Sequence, residues 1–325
     1  MSYTVTLGDF DALETTWTEL MQRSATDTVF LTPRWQRLWW KHFGEGAEQL
    51  MFELRLDGKI VGLAPMYLQG GELSLLGNTQ VCDFSDFVLP AEHCTGALNA
   101  LFAHLDTLTW STLVLHSLPC NSPTLAYLKA LDGRYSVDIE QEDVAPALDL
   151  PADWEAYLAT LSKKDRHELR RKFRRLEGAG DVQFVTCTDH AKLQHDISDF
   201  LTLHRESRDD KAASMNDHME AFFREMVQEF CAADIARLSF VEVNGHRCAA
   251  ILAFDYGTDR LLYNSGFDRE YSHLSVGLLV KANSVREAIE AGKRRYDFLR
   301  GNEPYKYDLG AIDAPLYQCT VRRAE

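Results

Sequence analysis

A chain of 325 residues, 46% hydrophobic and 26% charged, has the composition of an ordinary folded protein and the length for two domains. Its formal net charge of −15 argues against a general binder of DNA or of anionic membranes, although a local basic patch is compatible with it. No apolar run approaches the roughly eighteen residues of a spanning helix, so no membrane span is expected.

The opening MSYTVTLGDFDALE has no basic start followed by an apolar stretch and does not read as a secretory signal. In residues 11–23, Leu13, Trp17, Leu20 and Met21 fall on one side, which predicts a helix. Thr32-Pro33 starts the next helix, whose aromatic face includes Trp35, Trp39 and Phe43. Residues 51–78 predict three antiparallel strands with turns at Asp57-Gly58 and Gly70-Gly71. A helix at 91–107, a strand at 112–116, a helix at 122–131 and extended chain at 135–150 complete the first half.

Pro151 marks the expected boundary. Asp153 then caps a helix from Trp154, and SKKDRHELRRKFRRLEGAG reads as a second helix ending at Gly178 or Gly180. A strand at 182–186 and helices near 190–207 and 215–232 follow. Next comes a meander, ARLSFVEVNGHRCAAILAFDYGTDRLLYNSGFD, with turns at Asn244-Gly245 and Gly257-Thr258-Asp259.

The stretch from Arg260 to Lys306 is the one around which the chain is organised. A short strand opens at Leu261, breaks at Gly266 and gives way to a polar loop over 268–273. Leu274, Leu278, Ala282, Val285 and Ile289 then recur at helical spacing, Gly292 stops the helix, and residues 296–299 form a second strand. Ser275 is the expected N-cap, leaving the amides of Val276, Gly277 and Leu278 free. Such a helix start suits a phosphate, and equally reads as an ordinary capped helix with a small residue in its first turn.

FELRLDGKIVGLAPMYLQGGELSLLGN and SFVEVNGHRCAAILAFDYGTDRLLYNSG share order, turn chemistry and spacing, which predicts one duplicated α/β unit. The expected domains are 1–150 and 151–325. Only the second has the glycine-bearing helix start; NTQVCDFSDFVLP follows the first meander instead. Seven scattered cysteines without a CxxC pair fit reduced thiols in a cytoplasm, and no His/Cys cluster suggests a metal.

Between residues 163 and 175 the basic helix has eight Lys or Arg against two acids. Arg166, Arg170 and Arg174 form one ribbon, and Lys164, Arg171 and Arg175 another. This is a solvated face, or a seat for a phosphorylated ligand or a nucleic acid.

SKKDRHELRRKFRRLE, YNSGFDREYSHLSVG and DFLRGNEPYK together resemble the CelD/BcsL-type acetyltransferases. These are a tandem branch of the GNAT superfamily related to the Fem-type peptidoglycan aminoacyltransferases. The resemblance covers most of 150–310, and the first half by architecture only. It implies two tandem GNAT-like domains, each a mixed, mainly antiparallel sheet flanked by helices. The first is a degenerate copy on the acceptor side, and the second binds the acyl donor.

The implied reaction moves an acyl group from acyl-CoA to an amine of a small molecule, a sugar or a cell-envelope or polysaccharide precursor. Carried onto this chain, the donor strand includes Tyr263, Ser265 and Gly266, and the phosphate turn is Ser275, Val276 and Gly277. This chain departs from the usual pattern, which has Arg or Gln before a fuller glycine-rich turn. Asp297 and Glu303 are candidate bases and Tyr305 a candidate acid. Arg166, Arg170, Asp268 and Lys306 are candidate substrate contacts. Each has a structural alternative: Asp297 as a backbone partner, Tyr305 as core. Aminoacyl-tRNA is the alternative donor, and a non-catalytic module binding an anionic partner is the alternative from another class.

Overall fold

The computed structural model describes residues 2–131, 133–189 and 191–323. They form two compact units. Residues 2–144 together with 314–323 make the first, and residues 145–313 the second.

The first unit contains β1 (Tyr3–Leu7), α1 (Glu14–Met21), α2 (Pro33–Phe43), β2 (Glu48–Leu56), β3 (Lys59–Gln69) and β4 (Glu72–Leu75). It continues with α3 (Cys94–Leu105), β5 (Thr112–Pro119), α4 (Pro123–Ala130) and β6 (Tyr135–Val144). The second contains β7 (Ala147–Asp149), α5 (Trp154–Thr160), α6 (Lys163–Glu177), β8 (Val182–Thr186), α7 (Leu193–Ser207), α8 (Asp209–Ser214) and α9 (Asp217–Ala232). After them come β9 (Ala236–Val243), β10 (His246–Tyr256), β11 (Asp259–Phe267), α10 (Val276–Glu290), β12 (Arg295–Asp297) and α11 (Pro304–Asp308). The last strand, β13 (Pro315–Arg323), returns to the first unit.

Local chemistry sets many of these limits. Thr32 Oγ1 accepts from Trp35 N at 3.3 Å, Asp153 Oδ1 from Ala156 N at 2.8 Å and Ser162 Oγ from Asp165 N at 3.1 Å, so three helix starts are capped. Asp57-Gly58 and Asn244-Gly245 both hold positive φ (47° and 85°, 52° and 77°), the geometry that matches a two-residue hairpin to strand twist.

The two sheets share a plan. The first has strand order β1-β2-β3-β4-β5-β13-β6 and the second β7-β12-β11-β10-β9-β8. In each, pairing is antiparallel except at one place: β4 with β5, and β11 with β12. Those parallel pairs are joined through α3 and α10, which cover one sheet face. In the first unit Phe52, Met66, Leu98 and Phe102 meet in the core; in the second, Ile251, Leu262, Leu279 and Val285 do.

Several expectations need correction. The division falls at Val144/Ala145 rather than Pro151, because β7 pairs with β12. The end of the chain belongs to the first unit rather than the second, because β13 pairs with both β5 and β6. Gly266 does not break its strand; β11 runs through it to Phe267. Two helices were expected between 190 and 232, but there are three, with α8 between them. Residue 190, where the first was expected to begin, lies outside the described residues. No helix among the described residues is long and apolar enough to cross a membrane.

Candidate active site

β11 and β12 pair over only three positions, Asp259–Arg295, Arg260–Tyr296 and Leu261–Asp297. Residues 262–267 of β11 continue beyond the last of these pairs. The other chain turns away at Leu299, which holds a φ of 57°. Asp297 fixes that turn: its Oδ1 accepts from Leu299 N at 2.8 Å, and it is 4% exposed. The structure therefore makes Asp297 a loop-shaping group rather than an exposed base.

Lys306 completes the loop. Its ammonium donates to the carbonyls of Leu299, Arg300 and Gly301 at 2.9, 2.9 and 2.8 Å. Glu303 Oε2 lies 2.9 Å away, off the line of a good hydrogen bond, so that tie is mainly one of charge. All three ammonium protons have backbone acceptors, and the side chain is buried. Lys306 is thus a structural clamp and not a free seat for a substrate anion.

Burial opposes the charge on Glu303, but the Lys306 ammonium outweighs it and holds the carboxyl below its ordinary range. Tyr305 packs edge-on against Phe298, and burial pushes its phenol well above the usual value. It stays protonated and can offer a hydrogen bond without readily releasing its proton.

The donor-side residues divide in a similar way. Tyr263 is the extra residue of a bulge, since Leu252 pairs with Asn264 and Ala253 with Leu262. Its ring packs between Phe223 and Phe254. A Cβ on Gly266 would lie 2.3 Å from His204 N, so this glycine permits α7 to lie against the strand. A Cβ on Gly277 would lie 2.8 Å from the Phe267 ring, so its immediate role is also close packing. The Val276 side chain is fully buried.

Ser275 precedes α10 at a φ of 60° and makes no side-chain cap, contrary to the expected N-cap bond. Its carbonyl instead accepts from Leu278 N and Leu279 N, each at 3.0 Å. This leaves the amides of Val276 and Gly277 at the positive end of a fifteen-residue helix.

The charged candidates outside the strand mostly have other partners. Arg170 pairs with Glu155 at 2.6 Å, and Arg166 reaches the carbonyl of Leu158 at 3.5 Å, so both are tied to α5. Arg170 also lines a cavity of about 510 Å³ with Trp154, Phe173 and Arg286. Asp268 caps the turn before α10, accepting from Glu270 N at 2.9 Å, and lies 3.3 Å from His246 Nε2. Arg175 is the α6 residue that reaches the approach to α10: its Nη1 donates to His273 O at 2.8 Å.

Sequence reasoning missed two lysines. Lys281 is one turn inside α10 and only 7% exposed, with Nζ 2.6 Å from Gly277 O and 4.5 Å from the centre of the Tyr305 ring. Lys211 comes from α8, and its Nζ lies 2.5 Å from Ser265 O and 3.4 Å from Asn264 Oδ1. Burial lowers the Lys281 amine to about 7 and that of Lys211 to about 8. Lys281 follows Leu278, Leu279 and Val280 and precedes Ala282 and Val285, and that apolar setting was the sequence signal for it.

The equivalent parallel pair in the first unit, β4 with β5, also opens after three positions. Ser117 there holds a φ of 52°, and its amide donates to Glu142 Oε2 at 2.8 Å. His116 Nδ1 lies 3.2 Å from the other oxygen of Glu142.

Residues 163–307 match a family model described as acetyltransferase (GNAT) domain. No curated protein matches the chain. Among solved structures it is similar to FemX, with a TM-score of 0.66 at 11% identity over 97% of this chain and 96% of that one. It is also similar to L-PGS from Bacillus licheniformis, with a TM-score of 0.58 at 11% identity, covering 94% and 90%. A tandem GNAT protein from the clavulanic acid biosynthesis pathway gives a TM-score of 0.54 at 16% identity, covering 100% and 98%. The fold is therefore that of the tandem GNAT proteins, with the domain match confined to the second half.

Proposed function

We propose that the chain is an N-acyltransferase that takes an acyl group from acyl-CoA and passes it to an amine. The observation that carries this reading is the opening of β11 from β12 beside the start of α10. A thioester arm laid along residues 262–267 has strand backbone beside it, and its phosphates meet the amides of Val276 and Gly277. Arg175 stands near that turn as a second source of positive charge.

In the reaction, the amine nitrogen bonds to the thioester carbonyl carbon and the carbon–sulfur bond breaks. The amine loses a proton and the thiolate gains one. Glu303, ionised beside the opening, is the group we assign to accept the amine proton. Tyr305, held protonated, is assigned to hydrogen-bond the leaving sulfur. Much of the rate is ascribed to holding the two reactants together. We further propose a cytoplasmic role on a small or sugar-linked amine, as in envelope or polysaccharide assembly.

The test is calorimetric titration of the whole chain with acetyl-CoA and with S-acetylpantetheine, which lacks the nucleotide and its phosphates. The expected result is binding of acetyl-CoA, weakened by roughly 100-fold in the truncated thioester. Equal affinities would remove the phosphate seat at α10. No binding of either would remove the acyl-CoA reading. Aminoacyl-tRNA is the second donor to try, favoured by the basic outer face of α6 and the contact of Arg175 with His273 O.

A further inference from the structure

The charges around the β11–β12 opening do not balance. Lys306 is matched by Glu303, and Arg208 is matched by Asp210, with contacts of 2.9 and 2.7 Å. Lys281 and Lys211 remain. Among the described residues, neither has a carboxylate within ion-pair distance. Lys281 Nζ has three protons and one hydrogen-bond acceptor, the carbonyl of Gly277, with the Tyr305 ring on another side. Lys211 Nζ has only neutral oxygens, those of Ser265 and Asn264.

The surroundings offer no carboxylate in contact with either ammonium; Glu303 acts on both, and Asp210 on Lys211, only from beyond ion-pair distance. From α7, His204 is buried with Nδ1 unpartnered, and burial lowers its ring to about 3, so it is neutral. From the 298–306 segment come Tyr305, also neutral, and the Lys306–Glu303 pair. Of the other facing charges, Arg208 adds to the positive field on Lys211, and Glu303 and Asp210 offset part of it. A buried ammonium at Lys281 and a part-buried one at Lys211, neither in contact with a counter-ion, are costly in an apolar setting unless an anion arrives with the ligand.

We infer that the opening is built to receive a carboxylate, borne by the acyl group or by the amine acceptor, which docks between Lys281 and Lys211. The substrates are then dicarboxylic acyl thioesters or amino-acid-like acceptors, not uncharged acyl groups moved to uncharged amines. This rests on the acyl-transfer reading above and specifies its substrate class. The phosphates of the donor remain at the start of α10, and the carboxylate sits beside the Lys281 ammonium, which reaches back to Gly277 O.

The two amines are held low by burial, so docking an anion beside them draws in protons. That gives a signature independent of turnover. The experiment compares two charged and uncharged pairs by calorimetry on the whole chain, at about pH 8, in buffers of different ionisation enthalpy. The pairs are succinyl-CoA against acetyl-CoA, and N-acetylglycine against N-acetylglycinamide.

In at least one pair, the carboxylate member should bind about 10-fold tighter and take up close to one proton, while its uncharged partner takes up none. Succinyl-CoA as the winner places the carboxylate on the acyl group, and N-acetylglycine places it on the acceptor. Lys281→Met should cut the preference to about 3-fold or less with the uptake reduced, and Lys211→Met should do the same, so the test survives misfolding of one variant.

Acetyl-CoA binding with no carboxylate preference in either pair would overturn the inference and leave the acyl-transfer reading standing. Carboxylate preference with proton uptake in the acetylglycine pair, but no binding of any CoA compound, would do the reverse. A preference unchanged in both variants would place the carboxylate elsewhere and overturn the assignment to these lysines.

Discussion

Lys281 carries a strong cost of burial among the buried positions of α10, and that cost has a definite pH dependence. Its folded-state value, about 7, lies below the ordinary 10.5. Below about 7 the folded chain carries the buried ammonium in full; between the two values the unfolded chain binds the extra proton; above 10.5 both forms are neutral. Stability from this group is therefore lowest below about 7 and recovers as pH rises toward 10.5. Lys281→Met should stabilise the chain by about 2–4 kcal/mol near neutral pH, with the gain shrinking as pH rises toward the ordinary lysine value. Urea unfolding of both forms across that range checks it, and a pH-independent difference would show that charge is not the cause. Lys306 is the opposite case, a buried ammonium fully supplied with acceptors. Sequence reasoning singled it out, since a basic residue beside Glu303 and Tyr305 is visible in a string of letters. Its use as a clamp on three backbone carbonyls was not visible, because those acceptors exist only once residues 299–301 curl around it.

At the scale of elements, the contact between α7 and β11 decides how closely a helix can lie on the strand proposed to hold the donor. Gly266 makes that contact, with a built Cβ lying 2.3 Å from His204 N and 2.4 Å from Leu203 C. Backbone cannot move aside as a flexible side chain can. Gly266→Ala should therefore cost more than about 2 kcal/mol by overpacking, measurable as a lower urea midpoint. An unchanged midpoint would mean that α7 shifts freely. The sequence marks this glycine plainly, but two readings compete for it: a break in the strand and a close approach. Only the helix that packs there separates them. The same holds at Gly277, where Phe267 occupies the space a side chain would fill. Hairpins were more legible. Asp57-Gly58 and Asn244-Gly245 specify positive φ at adjacent positions, and few other backbones suit them.

For the whole molecule, the return of the chain end to the first unit has the largest consequence. β13 lies between β5 and β6, bonding both. Removing residues 314–325 deletes an interior strand and leaves β6 without its partner in the sheet. The shortened chain should lose the cooperative unfolding of the first unit and expose residues 2–144 to protease, while residues 145–313 stay protected. Limited proteolysis read by mass spectrometry tests this; equal protection of both halves would count against it. The sequence by itself determined the α/β class, the duplicated meander, the helix starts at Thr32 and Asp153 and the stretch that holds the candidate site. These follow from local chemistry and from periods of two and near four, which act over a few residues. The tertiary structure alone decided that the division precedes Pro151, that β7 and β13 pair with strands far from them in sequence, and that Lys211 and Lys281 share one electrostatic setting. Strand pairing and the burial of charge depend on residues distant in the chain, so no local pattern records them.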